Sequence, residues 1–186
     1  QEYTLLKFRC GDDYLVAATL RPETMFGQTN LWINPNAQYV KVQVENETWI
    51  MSMPAAEKLK YQKENLLLKE DIDPKKIIGR KVTAPGIERE IIVLPAPFCD
   101  PNIGTGIVTS VPSDAPYDYL ALKLLRENAA ECAAYGLNRA ELQEIQLISI
   151  IETKGYGKFP AQEIIEKNNI TSFTDPHLEE ENKEIY

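Results

Sequence analysis

Histidine, cysteine, long apolar runs and surplus positive charge are what this 186-residue chain is short of, and each shortage removes a class of function. The single histidine, His177, stands in a polar tail, so a histidine-based catalytic triad or a His-rich metal site has no residues to draw on. The three cysteines, Cys10, Cys99 and Cys132, are odd in number and far apart, which argues against a disulfide framework and against a paired-cysteine zinc site. Unbridged thiols fit a reducing compartment, and a cytoplasmic location is expected on that ground. The longest apolar runs, such as Ile91-Ile92-Val93-Leu94, are far too short to cross a bilayer, and no secretory leader is read. No membrane partner is therefore expected. Lys and Arg number 20 against 28 Asp and Glu, a formal charge of −8, which argues against a general nucleic-acid binder. The chain opens on Gln1 rather than methionine, and is read as a piece excised from something larger.

What is present suits one domain over residues 1–186, large enough to bury a core without staples. Strands are expected at Tyr3 to Phe8, Tyr14 to Thr19, Leu31 to Asn34, Tyr39 to Val44 and Thr48 to Met53, the first two split by Gly11-Asp12-Asp13. Pro54 marks a helix start. Further strands are expected at Lys81 to Thr83, Glu90 to Leu94, Gly106 to Val111 and Ile145 to Ile151. After Pro116 the period changes: Leu120, Ala121, Leu124, Leu125 and Ala129 share one face of a helix running towards Tyr135, with Gly136 at its end. Shorter helices are read at Pro160 to Asn168 and in the acidic tail from Asp175. The pattern is a β-rich α+β or barrel-like domain.

Two stretches carry chemistry. In Ala18-Thr19-Leu20-Arg21-Pro22-Glu23-Thr24-Met25-Phe26-Gly27, hydroxyls and a cation gather at a strand end that Pro22 keeps from continuing. Threonine hydroxyls can position water or bond a carbonyl, while their methyls limit size. A purely structural reading makes Thr24 an N-cap and leaves Arg21 solvated. In Gly104-Thr105-Gly106-Ile107-Val108-Thr109-Ser110-Val111-Pro112-Ser113-Asp114-Ala115-Pro116-Tyr117-Asp118, the glycines allow close backbone approach. Ser113 or Asp114 can cap the helix that follows, and Asp118 falls in its first turn. Alternation along the strand puts Thr109 and Val111 on one side. A carboxylate kept ionised there can pair with an ammonium group; the structural reading is a dipole partner. Lys75, Lys76, Arg80 and Lys81 form a small basic patch, most simply a solvated face.

Together these two stretches resemble the editing domain of class I aminoacyl-tRNA synthetases, and within it the leucyl branch of eukaryotic and archaeal cytosolic type. The resemblance covers nearly the whole chain. It implies a β-barrel-centred α+β domain with peripheral helices, an insertion called connective peptide 1 threaded through the catalytic body of a parent synthetase. Because an insertion leaves and rejoins its host at one place, the segments around Tyr3 and Tyr186 are expected to lie close. The implied activity is post-transfer editing, hydrolysis of norvalyl, isoleucyl or methionyl esters of tRNA(Leu) with leucyl-tRNA(Leu) spared. The implied catalytic residues are Asp118, which anchors the α-ammonium, Thr19 near the ester and water, and Thr24, which excludes leucine. Arg21, Thr109, Val111, Ser113, Asp114 and Leu20 are the implied substrate-binding residues.

Leu20 and Ala115 stand where bacterial relatives carry a threonine and a second aspartate, whereas Leu-Arg-Pro-Glu-Thr and Val-Pro-Ser-Asp match the eukaryotic and archaeal pattern. Two alternatives stay open: an editing domain of a valyl or isoleucyl enzyme, and a non-catalytic module of the same fold that binds tRNA or an amino acid. The resemblance implies no cofactor in this domain, with ATP and Mg confined to the full-length synthetase. Its implied partners are the 3′ end of mischarged tRNA(Leu), the parent's catalytic body and boron-containing adenosine adducts as inhibitors.

Overall fold

Alternating branched residues and tight turns build most of the first two thirds of the chain into strands. The computed structural model describes residues 2–63 and 66–185, and the chain divides into two compact units. The first comprises the chain up to Met25 together with Asn30–Thr109; the second comprises Phe26–Thr29 and the chain from Ser110 onward.

The first unit is built on strands Thr4–Cys10 (β1), Asp13–Thr19 (β2), Asn30–Ile33 (β3), Tyr39–Val44 (β4), Glu47–Ser52 (β5), Leu67–Ile72 (β6), Lys81–Thr83 (β7), Glu90–Pro95 (β8) and Ile107–Ser110 (β9), the last ending where the second unit begins. They form one mixed sheet in the order β6-β4-β5-β2-β1-β7-β8-β3-β9. Most neighbours are antiparallel, but β2 runs parallel to β5 and β3 to β8. Among the described residues nothing joins β6 to β9, so the sheet keeps two edges and is not closed into a barrel; the α+β class with peripheral helices holds.

In the β4–β5 hairpin Val44 faces Glu47 across a two-residue turn, with Glu45 at φ 55°. The Gln43 side-chain amide donates to the Glu45 carbonyl at 2.8 Å and holds that turn. The hairpin packs Val40, Val42, Val44, Trp49 and Met51 with Val16 against Ala55 and Ala56 of helix Met53–Leu59 (α1). Each such side chain contributes about 1.5–3 kcal/mol when fully buried. Helix α1 starts as expected, with Ser52 as N-cap accepting the Ala55 N–H and Pro54 in the first turn.

The second unit is helical: Pro116–Glu127 (α2), Ala129–Ala134 (α3), Arg139–Glu144 (α4), Pro160–Lys167 (α5) and Pro176–Ile185 (α6). Leu120, Ala161, Ile164, Ile165, Ile170 and Leu178 form its core, and Tyr117 stacks on Phe173 with ring centroids 6.4 Å apart. Tyr119 donates to Glu166 at 2.9 Å and ties α2 to α5. Burial, then the Glu166 carboxylate, push the Tyr119 phenol well above its ordinary range.

Two sequence expectations fail here. The single helix towards Tyr135 is broken at Asn128, whose side chain accepts the Glu131 N–H at 3.0 Å and caps a new helix. Ile145 to Ile151 is not a strand: its β-branched residues suit one, yet among the described residues none pairs with it. Strand β6 was missed because Lys69, Glu70 and Asp71 hide any alternation. The expected proximity of Tyr3 and Tyr186 lies outside the described residues.

Candidate active site

In the first unit, β2 ends at Thr19, and Pro22 opens a short 3-10 helix, Pro22–Gly27. The two threonine hydroxyls grip one residue. Thr19 Oγ1 accepts the Arg21 N–H at 3.0 Å, and Thr24 Oγ1 donates to the Arg21 carbonyl at 2.7 Å. The N-cap reading of Thr24 is thereby replaced, because its hydroxyl donates from inside the 3-10 helix rather than accepting at its start. Arg21 Nε lies 3.2 Å from Glu23 Oε1. A backbone N–H, then Arg21, hold the Glu23 carboxyl below its ordinary value. Leu20 is 52% exposed, whereas Thr19 and Thr24 are half-buried.

The Gly-Thr-Gly turn belongs to the same unit. Gly104 and Gly106 take φ of 56° and 70°, a region costly for any other residue. A Cβ on Gly104 would stand 2.9 Å from Ala18 Cβ, and one on Gly106 would stand 2.6 Å from Ser52 Cβ. Close backbone approach, expected from the sequence, is therefore what these glycines provide. Beside the turn lies a cavity of about 660 Å³, whose walls include Tyr3, Leu5, Ala18, Lys58, Gly104 and Thr105. It borders both motifs, but the expected site residues do not line it. Tyr39, wholly buried, donates its hydroxyl to the Gly106 carbonyl at 2.7 Å, and burial raises its phenol far above the ordinary range. Strand β9 follows; Thr109 in it is half-buried.

The second unit holds the rest. The N-cap of α2 is Ala115, with no side-chain cap bond, so neither Ser113 nor Asp114 caps this helix. Asp118 instead reaches back from the first turn, and its Oδ2 accepts the Val111 N–H at 2.7 Å. The Val111 carbonyl in turn accepts the Asp114 and Ala115 N–H groups, each at 3.0 Å. Ser113 Oγ donates to Asp114 Oδ2, and the N-cap position falls one residue later, on Ala115. The Ala161 N–H at the start of α5 donates to the Ser113 carbonyl at 3.1 Å and fixes the turn from outside. Ser113, Asp114 and Asp118 are all buried. The Asp118 side chain thus meets a backbone donor in the first turn of α2, where the helix dipole favours negative charge.

Thr19, Leu20, Arg21, Thr24 and Thr109 thus fall in the first unit, and Val111, Ser113, Asp114 and Asp118 in the second. Both motifs straddle points where the chain passes from one unit to the other. Among the described residues, no group of three His, Cys, Asp or Glu side chains is placed to hold a metal. Sequence reasoning missed Tyr39 and the Val111 N–H. A tyrosine 67 residues from its partner leaves no local signal.

No family model matches the sequence. Leucine–tRNA ligase from Methanothermobacter thermautotrophicus is 45% identical over 185 residues, the whole of this chain and 20% of the relative. The Methanosarcina mazei ligase is 47% identical over 189 residues, 19% of its length. The chain spans about a fifth of the length of these curated relatives. Among solved structures, GlLeuRS-CP1 superposes with a TM-score of 0.87 at 31% identity, over 100% of this chain and 83% of that one. The chain belongs to the CP1 editing-domain family of leucyl-tRNA synthetases. The P. knowlesi cytosolic leucyl-tRNA synthetase editing domain, 24% identical with a TM-score of 0.87 over 82% of that chain, shares the fold. The open mixed sheet with peripheral helices is therefore the architecture of the leucyl editing-domain family.

Proposed function

We propose that this chain hydrolyses the ester of mischarged tRNA(Leu), carrying norvaline, isoleucine or methionine, and spares leucyl-tRNA(Leu). One methylene in a hydrophobic pocket discriminates by only about 1–3 kcal/mol, so near-isosteric amino acids that pass a first selection call for a second. Family membership supports the reading, and the observation that carries it is the Asp118 turn: a buried carboxylate held at 2.7 Å by a backbone donor at a helix N-terminus. Such a group binds the α-ammonium of an aminoacyl ester and has no counterpart interaction with an uncharged ester. The Thr24 hydroxyl is committed as a donor to Arg21, which fixes the rotamer of its methyl and makes it a rigid probe of side-chain shape. Thr19 and neighbouring backbone groups orient the attacking water. An aminoacyl ester is already activated, so positioning suffices and the vicinal ribose hydroxyl can assist. Ligation, with its ATP and Mg, belongs in this reading to the remainder of a parent synthetase, and the location is cytoplasmic.

The deciding experiment compares deacylation of isoleucyl-tRNA(Leu) and leucyl-tRNA(Leu) by the wild-type chain and Asp118→Ala. Selective loss of the isoleucyl ester, abolished by the substitution, is the expected result. Hydrolysis that persists in Asp118→Ala removes Asp118 from the mechanism. If the wild-type chain hydrolyses neither ester, the assay is repeated in a full-length synthetase: no hydrolysis by the wild type there would mark a binding module, and hydrolysis lost in Asp118→Ala would mark a domain that needs its parent.

A further inference from the structure

Among the described residues strand β9 has one neighbour in the sheet, β3, and is four residues long, so its position depends on how the chain enters it. That entry is clamped by one cross-strand pair. Tyr39 and Ser52 face each other in register where β4 begins and β5 ends, and both are wholly buried. The Ser52 N–H donates to the Thr105 carbonyl at 2.9 Å, and Ser52 Oγ donates to the Pro101 carbonyl at 2.6 Å. Tyr39 supplies the third bond, to the Gly106 carbonyl. The same phenol oxygen accepts the Asn34 N–H at 2.9 Å, and Asn34 Nδ2 donates to the Cys99 carbonyl at 2.9 Å. Gly106 closes its own turn through its N–H to Ile103, while its missing Cβ lets it press on Ser52. Ile107, the next residue, opens β9.

We propose that Tyr39 and Ser52 are positioning residues that set the Gly104-Thr105-Gly106 turn and, through it, Thr109 for reaction with the aminoacyl ester. The inference rests on the ester-hydrolase reading above. Neither residue touches the substrate. Removing the Tyr39 hydroxyl leaves the ring packed but strands two backbone groups, the buried Gly106 carbonyl and the half-buried Asn34 N–H. The turn then relaxes, and misplacement by about 1 Å is enough to cost up to ~100-fold in rate.

The test is Tyr39→Phe beside wild type, with Asp118→Ala as the site control and Val42→Ala as a control destabilised in the same hairpin. Single-turnover deacylation of isoleucyl-tRNA(Leu) gives the rate and half-saturation separately, and amide exchange is read at Asn34 and Thr105 to Thr109. Tyr39→Phe is expected to slow the chemical step about 10-fold with half-saturation nearly unchanged, and to speed exchange at these amides. Val42→Ala should keep the rate, and 4-aminophenylalanine at position 39, which restores a donor, should recover most of it. A wild-type rate in Tyr39→Phe overturns the proposal, as does a loss matched by Val42→Ala. If wild type itself leaves the ester intact, the hydrolase reading fails. The clamp is then judged by exchange alone: unchanged exchange at Thr105 to Thr109 overturns it, and faster exchange supports it.

Discussion

Replacing Asp118 by alanine deletes the acceptor of the Val111 N–H in a place where Asp118 is only 5% exposed. A hydrogen bond to a charged group contributes roughly 1.5–3 kcal/mol, and the stranded donor cannot turn to bulk water. Loss of a carboxylate from the first turn of α2 removes a further ~0.3–1 kcal/mol of helix-dipole interaction. Relief of the desolvation borne by the buried carboxylate offsets part of this, which leaves a net loss of about 2 kcal/mol. At tenfold per 1.4 kcal/mol, that is roughly a 30-fold shift in the local opening equilibrium. Amide exchange at Val111 should accelerate by about that factor in Asp118→Ala. Asp118→Asn keeps an oxygen acceptor while discarding the charge, so Val111 should stay protected to within about threefold. Hydrolysis of isoleucyl-tRNA(Leu) should nevertheless fall sharply in both variants, because the ammonium partner is gone. Unchanged Val111 exchange in Asp118→Ala would refute the structural half of this reasoning. Wild-type hydrolysis by Asp118→Asn would refute the electrostatic half.

Gly106→Ala should destabilise by about 2–4 kcal/mol, combining a left-handed backbone penalty of ~1–2 kcal/mol with the clash against Ser52. An unaltered urea midpoint would show that the turn yields freely. Thr24→Ala should admit leucyl-tRNA(Leu) to hydrolysis, and continued protection of the leucyl ester in every Thr24 variant would remove Thr24 from the sieve. Lys7 Nζ, at 2.8 and 2.9 Å from the two Glu47 oxygens, and then Trp49 hold the Glu47 carboxyl below its ordinary 4.5. A carboxyl lowered by folding contributes stability above its unfolded value that is lost as pH falls through the folded one, so Lys7→Ala should flatten the acid limb of a urea-unfolding series below about pH 5; identical limbs would count against the pair.

Legibility followed distance along the chain. Strand β4 was readable to the residue because Val40, Val42 and Val44 alternate, and β7 because Pro85-Gly86 bounds it. Asp118 in the first turn of α2 was readable because Pro116 marks that start locally. Its bond to Val111 spans seven residues and was not read, since a carboxylate near a helix start has several donors to choose from. The clamp by Tyr39 joins residues 67 apart, and closure of the sheet depends on partners no single strand specifies. The break at Asn128 had a readable cue, an asparagine able to cap, but the apolar face continuing through Ala129 concealed it. The candidate site residues came from whole motifs resembling a family; threonine spacing alone left structural readings open.

The negative charge that argued against nucleic acid is unevenly placed, and that changes its meaning. Of 20 Lys and Arg, 13 fall in the first unit and 7 in the second, while the 28 acidic residues divide 14 and 14. The first unit therefore carries −1 and the second −7, together the −8 of the chain. A near-neutral unit gains little from phosphate neutralisation, so affinity for the proposed substrate must come mainly from its aminoacyl end. The acidic unit is the one that contains Asp118, and its field favours an ammonium group. Hydrolysis then cancels that preference. The aminoacyl group of the ester carries only the ammonium, whereas the released amino acid also carries a carboxylate, which the same field repels. Under the proposed reaction, the charge that weakens RNA binding helps to select the aminoacyl ester and to expel its product.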